Sequence, residues 1–244
     1  MPDTTRNAVQ AYFRQQAELG MPGYIFGSDV LSGIQSGAAV PGTRPASLPG
    51  QPAGDSYEAK RRALVELYRA TENCHNCPLD DTRTKYVFGA GNAEANLMII
   101  GEAPGEDEDR QGVPFVGAAG QLLTKMLAAI DLDRRKDVFI TNILKCRPPG
   151  NRNPSDAEAE ACAGILARQI EIIAPAALLL LGRVAAHRLL GRTESLAKLR
   201  GEKLDYKGIP VVITYHPAAL LRNPQWKRPA YEDLQRLQAM LKEP

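Results

Sequence analysis

Four short apolar runs, at 96–101, 138–144, 177–182 and 209–215, recur along this 244-residue chain, and helical periodicity follows each of them. A run such as Leu97-Met98-Ile99-Ile100 is apolar at every position, so both faces of the strand it forms must be covered. A sheet with one wet face would alternate apolar and polar residues instead. Apolar residues at helical spacing occupy 117–130, 155–173, 184–190 and 228–241. Ser155 followed by Glu158 marks a capping-box start for the second of these helices. Strand and helix alternating in this way predict an α/β fold with a central, mainly parallel four-stranded sheet under helices on both sides.

In such a sheet the ligand crevice lies at the carboxyl ends of the strands. Residues 101–123, GEAPGEDEDRQGVPFVGAAGQLL, leave the first strand there. Their Gly and Pro residues set tight turns and allow close approach to the backbone. Five acids, Glu102, Glu106, Asp107, Glu108 and Asp109, make the loop a poor phosphate cradle. The loop suits chemistry on a neutral group, with Phe115 as a flat face to stack on; a solvated acidic turn is the plainer reading. The second strand ends at Asn142, whose carboxamide has donors and an acceptor. It can read the N3–H and carbonyl edge of a pyrimidine, or simply satisfy neighbouring backbone. The last strand runs into His216, a structural residue in the bland reading. Beyond it come Leu220, Leu221 and Arg222, a loop able to push into a base stack while the cation holds phosphate.

The bulk numbers exclude little. Net charge is only +2, so any nucleic-acid surface is a local patch. No apolar run reaches membrane-spanning length, and the first residues, MPDTTRNAVQ, lack the regions of a signal peptide. No membrane association and a cytoplasmic location are therefore expected. Residues 5–19 have weak helical character, and 20–55 are rich in Gly, Pro, Ala and Ser, a composition that reads as a flexible linker. Its one apolar island, Gly23-Tyr24-Ile25-Phe26, is either a partner-binding segment or a local packing element. Residues 1–55 are thus read as an N-terminal extension and 56–244 as the working domain, which opens on a helix ended by Pro78.

Four cysteines in a cytoplasmic chain point to metal or redox chemistry before disulfides. Cys74 and Cys77 form a CxxC followed by Pro, Cys146 lies just after the second strand, and Cys162 lies on the capped helix. Four thiolates suit a [4Fe–4S] cluster or tetrahedral Zn. The wide separation of the third and fourth favours the cluster, with Zn as the alternative.

The segments GEAPGEDEDRQGVPFVGAAGQLL, TNILKCRPPGNRNP and HPAALLR, with the cysteine set, resemble the family 4 uracil-DNA glycosylases over residues 73–241. The resemblance implies a three-layer αβα sandwich, a [4Fe–4S] cluster on Cys74, Cys77, Cys146 and Cys162, and a uracil pocket built from Gly101, Glu102, Ala103, Phe115, Asn142 and His216. It implies a DNA repair enzyme that flips uracil from single- or double-stranded DNA and hydrolyses its N-glycosidic bond. In that reading Phe115 stacks on the base, Asn142 reads O4 and N3, and His216 donates to the departing O2. Glu102, or else Glu108 or Asp109, orients the water, and Glu108 is a candidate wall against the thymine methyl. Leu220, Leu221 and Arg222 would touch DNA. A sibling group traps its substrate through a longer His-containing loop; the short KCRPPGNRNP predicts turnover and a free abasic product. A monomer is expected. The competing readings are a non-catalytic iron–sulfur DNA-binding protein, a nucleotide-binding domain with a zinc knuckle, and a phage-polymerase type domain.

Overall fold

The computed structural model describes residues 55–242, so the readings made for 1–54 lie outside the described residues. Helix α1 (Asp55–Thr71) leads through the first two cysteines to strands β1 (Ala90–Gly91) and β2 (Leu97–Gly101). Helices α2 (Glu106–Gln111) and α3 (Ala118–Ala128) follow, then β3 (Val138–Asn142) and α4 (Asp156–Ile173). Next come β4 (Ala177–Leu181), α5 (Gly182–Leu190), α6 (Leu196–Arg200), β5 (Leu204–Tyr206) and β6 (Ile209–Thr214). The described chain closes with α7 (Pro217–Arg222) and α8 (Lys227–Lys242). No helix among the described residues is long and apolar enough to cross a membrane.

The sheet order is β1-β3-β2-β4-β6-β5. The four inner strands are parallel, as their unbroken apolar runs predict, and both edge strands pair antiparallel. Alternate residues feed two cores. Leu97 and Ile99 pack with Leu123, Leu127, Leu234 and Leu237, whereas Met98 and Ile100 pack with Leu64, Ile165, Ile170 and Ile173. Helices therefore cover both faces, which is the three-layer αβα arrangement.

The sheet has six strands rather than the expected four. The extra two are short edges whose pairing depends on tertiary contact. Gly91 in β1 has φ +140, and a Cβ there would stand 2.1 Å from the Val138 carbonyl oxygen, so only glycine lets this edge approach β3. The capping box of α4 forms as predicted: Ser155 Oγ accepts from the Glu158 N–H and Glu158 accepts from the Ser155 N–H. The helix ends at Ala174, in the left-handed region with φ 47, because Pro175 cannot continue it.

Candidate active site

Gly101 and Asn142 are paired in register at the carboxyl ends of β2 and β3. The ladder runs on past both strands, with the Ile143 N–H on the Gly101 carbonyl and the Leu144 N–H on the Glu102 carbonyl. Side chains leaving these two strand ends therefore share one floor.

The acidic stretch folds partly into helix, which apolar periodicity could not announce. Within α2, Glu108 accepts three backbone N–H groups, from Gly105 (3.1 Å), Val116 (2.8 Å) and Gly117 (2.9 Å). Buried Asp109 accepts from the Thr84 N–H at 2.9 and 3.1 Å. Asp107 pairs with Arg110, and Glu106 reaches Arg147 across the loop gap. Only Glu102 of the five is left facing the cavity without a hydrogen-bond partner of this kind. Burial pushes its carboxyl up, and the Arg183 charge pulls it back down.

Phe115 follows this clasp with φ 55, a left-handed value that is strained for an aromatic residue. Its ring is buried and lies 5.6 Å from the His216 ring, with 34° between their planes. Two glycines make this possible. A Cβ on Gly120 would stand 1.7 Å from the Phe115 carbonyl oxygen, and one on Gly101 would stand 2.6 Å from the Phe115 ring.

His216 caps α7: its Nδ1 accepts the Ala218 N–H at 3.2 Å. That bond fixes the tautomer, because an accepting Nδ1 leaves the proton on Nε2. Burial, and then the positive charge of Arg222, pushes the imidazole down to about 4, so it is neutral at pH 7.

Together these elements enclose a cavity of about 380 Å³ whose lining includes Glu102, Phe115, Asn142, Asn153, His216 and Arg222. At its floor Asn142 is 1% exposed, and its Oδ1 is buried without a hydrogen-bond partner. Such an orphaned acceptor costs roughly 1–3 kcal/mol. It therefore marks where a ligand donor belongs.

The structure thus brings together Glu102, Ala103, Phe115, Asn142 and His216, with Gly101 beneath the ring and Arg222 at the rim. Glu108 also lines the cavity, and both its oxygens accept backbone N–H groups, so it braces the loop. Asp109 points to Thr84 and does not line the cavity, so the structure does not place it where a water would meet the sugar. Leu220 is a correction: it is 1% exposed and belongs to the α3–α8 core, whereas Leu221 is 47% exposed. On a six-residue helix only one of two adjacent leucines can face the core. Sequence reading passed over the second wall, Pro148 to Asn153, held by a bidentate Arg152–Glu158 pair. The Arg152-Asn153-Pro154 run was its only signal. Gly182 was also missed. Its φ is +88, and a Cβ there would stand 3.0 Å from the His216 Cβ.

The four cysteines are unpaired, with Cys146 and Cys162 buried. Their charges act on one another: Cys146 feels Cys162 and Cys77, and Cys162 feels Cys77 and Cys74. Burial pushes the Cys146 thiol up to about 11, against an Arg83 guanidinium whose Nη1 lies 3.2 Å from the sulfur. Four free thiols, two of them buried, with a cation aimed at one sulfur, fit an anionic metal–thiolate group in donor chemistry. Among the described residues no three His, Cys, Asp or Glu side chains are grouped to hold a single metal ion.

An α/β sheet whose strand ends enclose a hollow, with a ring for stacking, an unpaired carboxamide and a neutral imidazole, defines a site for a flat, uncharged heterocycle. Comparison with known proteins agrees. The family model described as "Uracil DNA glycosylase superfamily" matches residues 88–235. A type-4 uracil-DNA glycosylase of Archaeoglobus fulgidus is 43% identical over 183 residues, which is 72% of this chain and 92% of that protein. One from Pyrobaculum aerophilum is 44% identical over 70% of this chain and 91% of its own length. One from Thermotoga maritima is 42% identical over 75% of this chain and 97% of its own. The chain belongs to the type-4 uracil-DNA glycosylases.

Proposed function

We propose that this protein takes a uracil flipped out of DNA into the cavity and hydrolyses its N-glycosidic bond, releasing free uracil and leaving an abasic site. The observation that carries the proposal is the buried, unpaired Asn142 Oδ1 beside Phe115 and His216. Uracil N3–H would satisfy that oxygen while the amide Nδ2 donates to O4. Cytosine has no N3–H, so it would leave the oxygen orphaned, a mismatch worth a large factor in specificity. Flipping costs a few kcal/mol, less at a mispair.

As the C1′–N1 bond breaks, its electron pair leaves with the base and positive charge grows on the sugar. His216 donates Nε2–H to the O2 of the departing uracil anion. A neutral donor suits this task, because the electrostatic gain appears as charge develops. Glu102 orients the water that adds to C1′ and accepts its proton. Arg222 lines the cavity and Leu221 beside it is exposed; the leucine would fill the gap left in the base stack and the arginine would hold phosphate. The short loop after β3 carries no His, which supports turnover with a free product.

Cys74, Cys77, Cys146 and Cys162 are the residues that would hold a [4Fe–4S] cluster, which supplies a tie between α1, the end of β3 and α4. None of them is among the residues lining the cavity, so the reading gives the cluster no part in bond cleavage. Residues 56–244 form the glycosylase domain and 1–55 an extension open to a protein partner; the chain acts as a monomer, in the cytoplasm where thiols stay reduced.

The test is product analysis. Anaerobically purified full-length protein is incubated with single-stranded and duplex oligonucleotides containing one uracil. Free uracil and an alkali-labile site are expected. Binding without release would favour a non-catalytic DNA-binding protein.

A further inference from the structure

Lys145 is completely enclosed, yet no carboxylate joins its hydrogen bonds. Its Nζ donates to Thr141 Oγ1 at 2.6 Å, to the Asn142 carbonyl at 2.7 Å and to Gln169 Oε1 at 2.8 Å. Thr141 gives its own proton to the Phe88 carbonyl, and Gln169 Nε2 donates to the same carbonyl. Each partner is thereby set to accept from Lys145. The nitrogen is tethered in three directions at the end of β3. Lys145 also precedes Cys146, so the residue that grips the Asn142 carbonyl adjoins the cysteine site.

We propose that Lys145 is a positioning residue that couples the cysteine site to base recognition. Its three hydrogen bonds fix the strand end from which the Asn142 carboxamide projects, and its peptide link joins that end to Cys146. The inference rests on the reading of Asn142 as the group that meets uracil.

The test is a double-mutant cycle in the full-length, anaerobically prepared protein. Lys145→Met removes all three donors at similar length, and Gln169→Leu removes one acceptor seven positions from Cys162. Each is made alone and with Asn142→Ala, and single-turnover uracil release is measured. A displaced reading group predicts a loss of about ten- to a hundredfold for Lys145→Met. Gln169→Leu should lose less in the same direction, and both losses should vanish in the Asn142→Ala background. Independently of catalysis, Lys145→Met should weaken calorimetric binding of free uracil by a similar factor, since the group that reads the base has moved. Equal losses in both backgrounds, or unchanged binding of free uracil, would overturn the inference. Should Lys145→Met fail to fold, the Gln169→Leu cycle decides alone. Full activity in Asn142→Ala by itself would instead overturn the reading of the pocket.

Discussion

Replacing Gly101 with alanine adds one methyl group at the end of β2. That carbon would stand 2.4 Å from Asn142 Oδ1 and 2.6 Å from a Phe115 ring carbon. Ordinary contact begins near 3.4 Å, so the carboxamide and the ring must each withdraw by roughly 1 Å, the gap between those figures. Neither is free to do so. Phe115 is pinned between Gly120 and the Glu108 clasp, and Asn142 is held in register against Gly101 itself. Overpacking of this kind costs about 1–3 kcal/mol. In a domain of this size each kcal/mol lowers the melting temperature by roughly 2–4 °C. The effect on chemistry should be larger, because a misplacement of about 1 Å costs on the order of a hundredfold. Single-turnover release of uracil from a single-stranded oligonucleotide, with protein in excess and well below the melting temperature, separates the two effects. Gly164→Ala is the control. A Cβ there meets nothing within 4 Å, so the rate should be unchanged and stability equal or higher. A Gly101→Ala protein that releases uracil at the wild-type rate would refute the idea that Phe115 and Asn142 must meet the base at this spacing.

Glu102→Gln should slow the single-turnover rate by about a hundredfold or more; an intact rate would move the water to another group. Leu221→Ala should weaken action on duplex more than on single strands and leave the melting point alone. Leu220→Ala should do the reverse, losing about 2–5 kcal/mol of stability. His216 has its folded pKa depressed to about 4 from 6.5, so the unfolded chain binds the extra proton first. Its contribution is full above pH 6.5 and is lost as pH falls toward 4, about 3 kcal/mol in all. Glu158, held near 2 by its Arg152 hydrogen bond, adds its own loss only below its ordinary 4.5. Glu102, pushed up by burial, acts in the opposite direction, so urea melts at pH 7 and 5 are made in a Glu102→Gln background, where His216→Gln should flatten the difference. Deleting residues 1–50 should spare uracil release; an inactive truncation would show that the segment belongs to the fold.

The inner strands were legible because each is apolar on both faces, a pattern with one cheap solution. The edges were not, since Ala90–Gly91 is only two residues long and Leu204–Tyr206 is half exposed. The pocket was legible in its residue types: Phe115, Asn142 and His216 stand at strand ends where a crevice forms. What the sequence could not assign was direction. Five acids in one loop look alike until Glu108 and Asp109 are seen to grip backbone. Adjacent leucines look alike until a short helix turns one of them inward. Lys145 escaped notice for the same reason, because a lysine beside a cysteine gives no sign of being buried.

The acidity of the first loop changes meaning once those directions are known. A left-handed, non-glycine Phe115 costs roughly 1–2 kcal/mol. Hydrogen bonds to a charged carboxylate contribute about 1.5–3 kcal/mol each, and two of the three on Glu108 come from the residues just after Phe115. The acids therefore hold the stacking ring where an unaided chain would not leave it. Asp109 extends the hold outward. It grips Thr84, the neighbour of Arg83, whose guanidinium reaches the Cys146 sulfur and the Glu72 carbonyl. The opposite wall has its own link, through Lys145 to Asn142. Two separate hydrogen-bonded routes thus lead from the cysteine segment, one to the residue that stacks and one to the residue that reads. On the proposed function, a cluster held by those cysteines would take no part in bond cleavage itself, yet losing it would loosen recognition and stacking together.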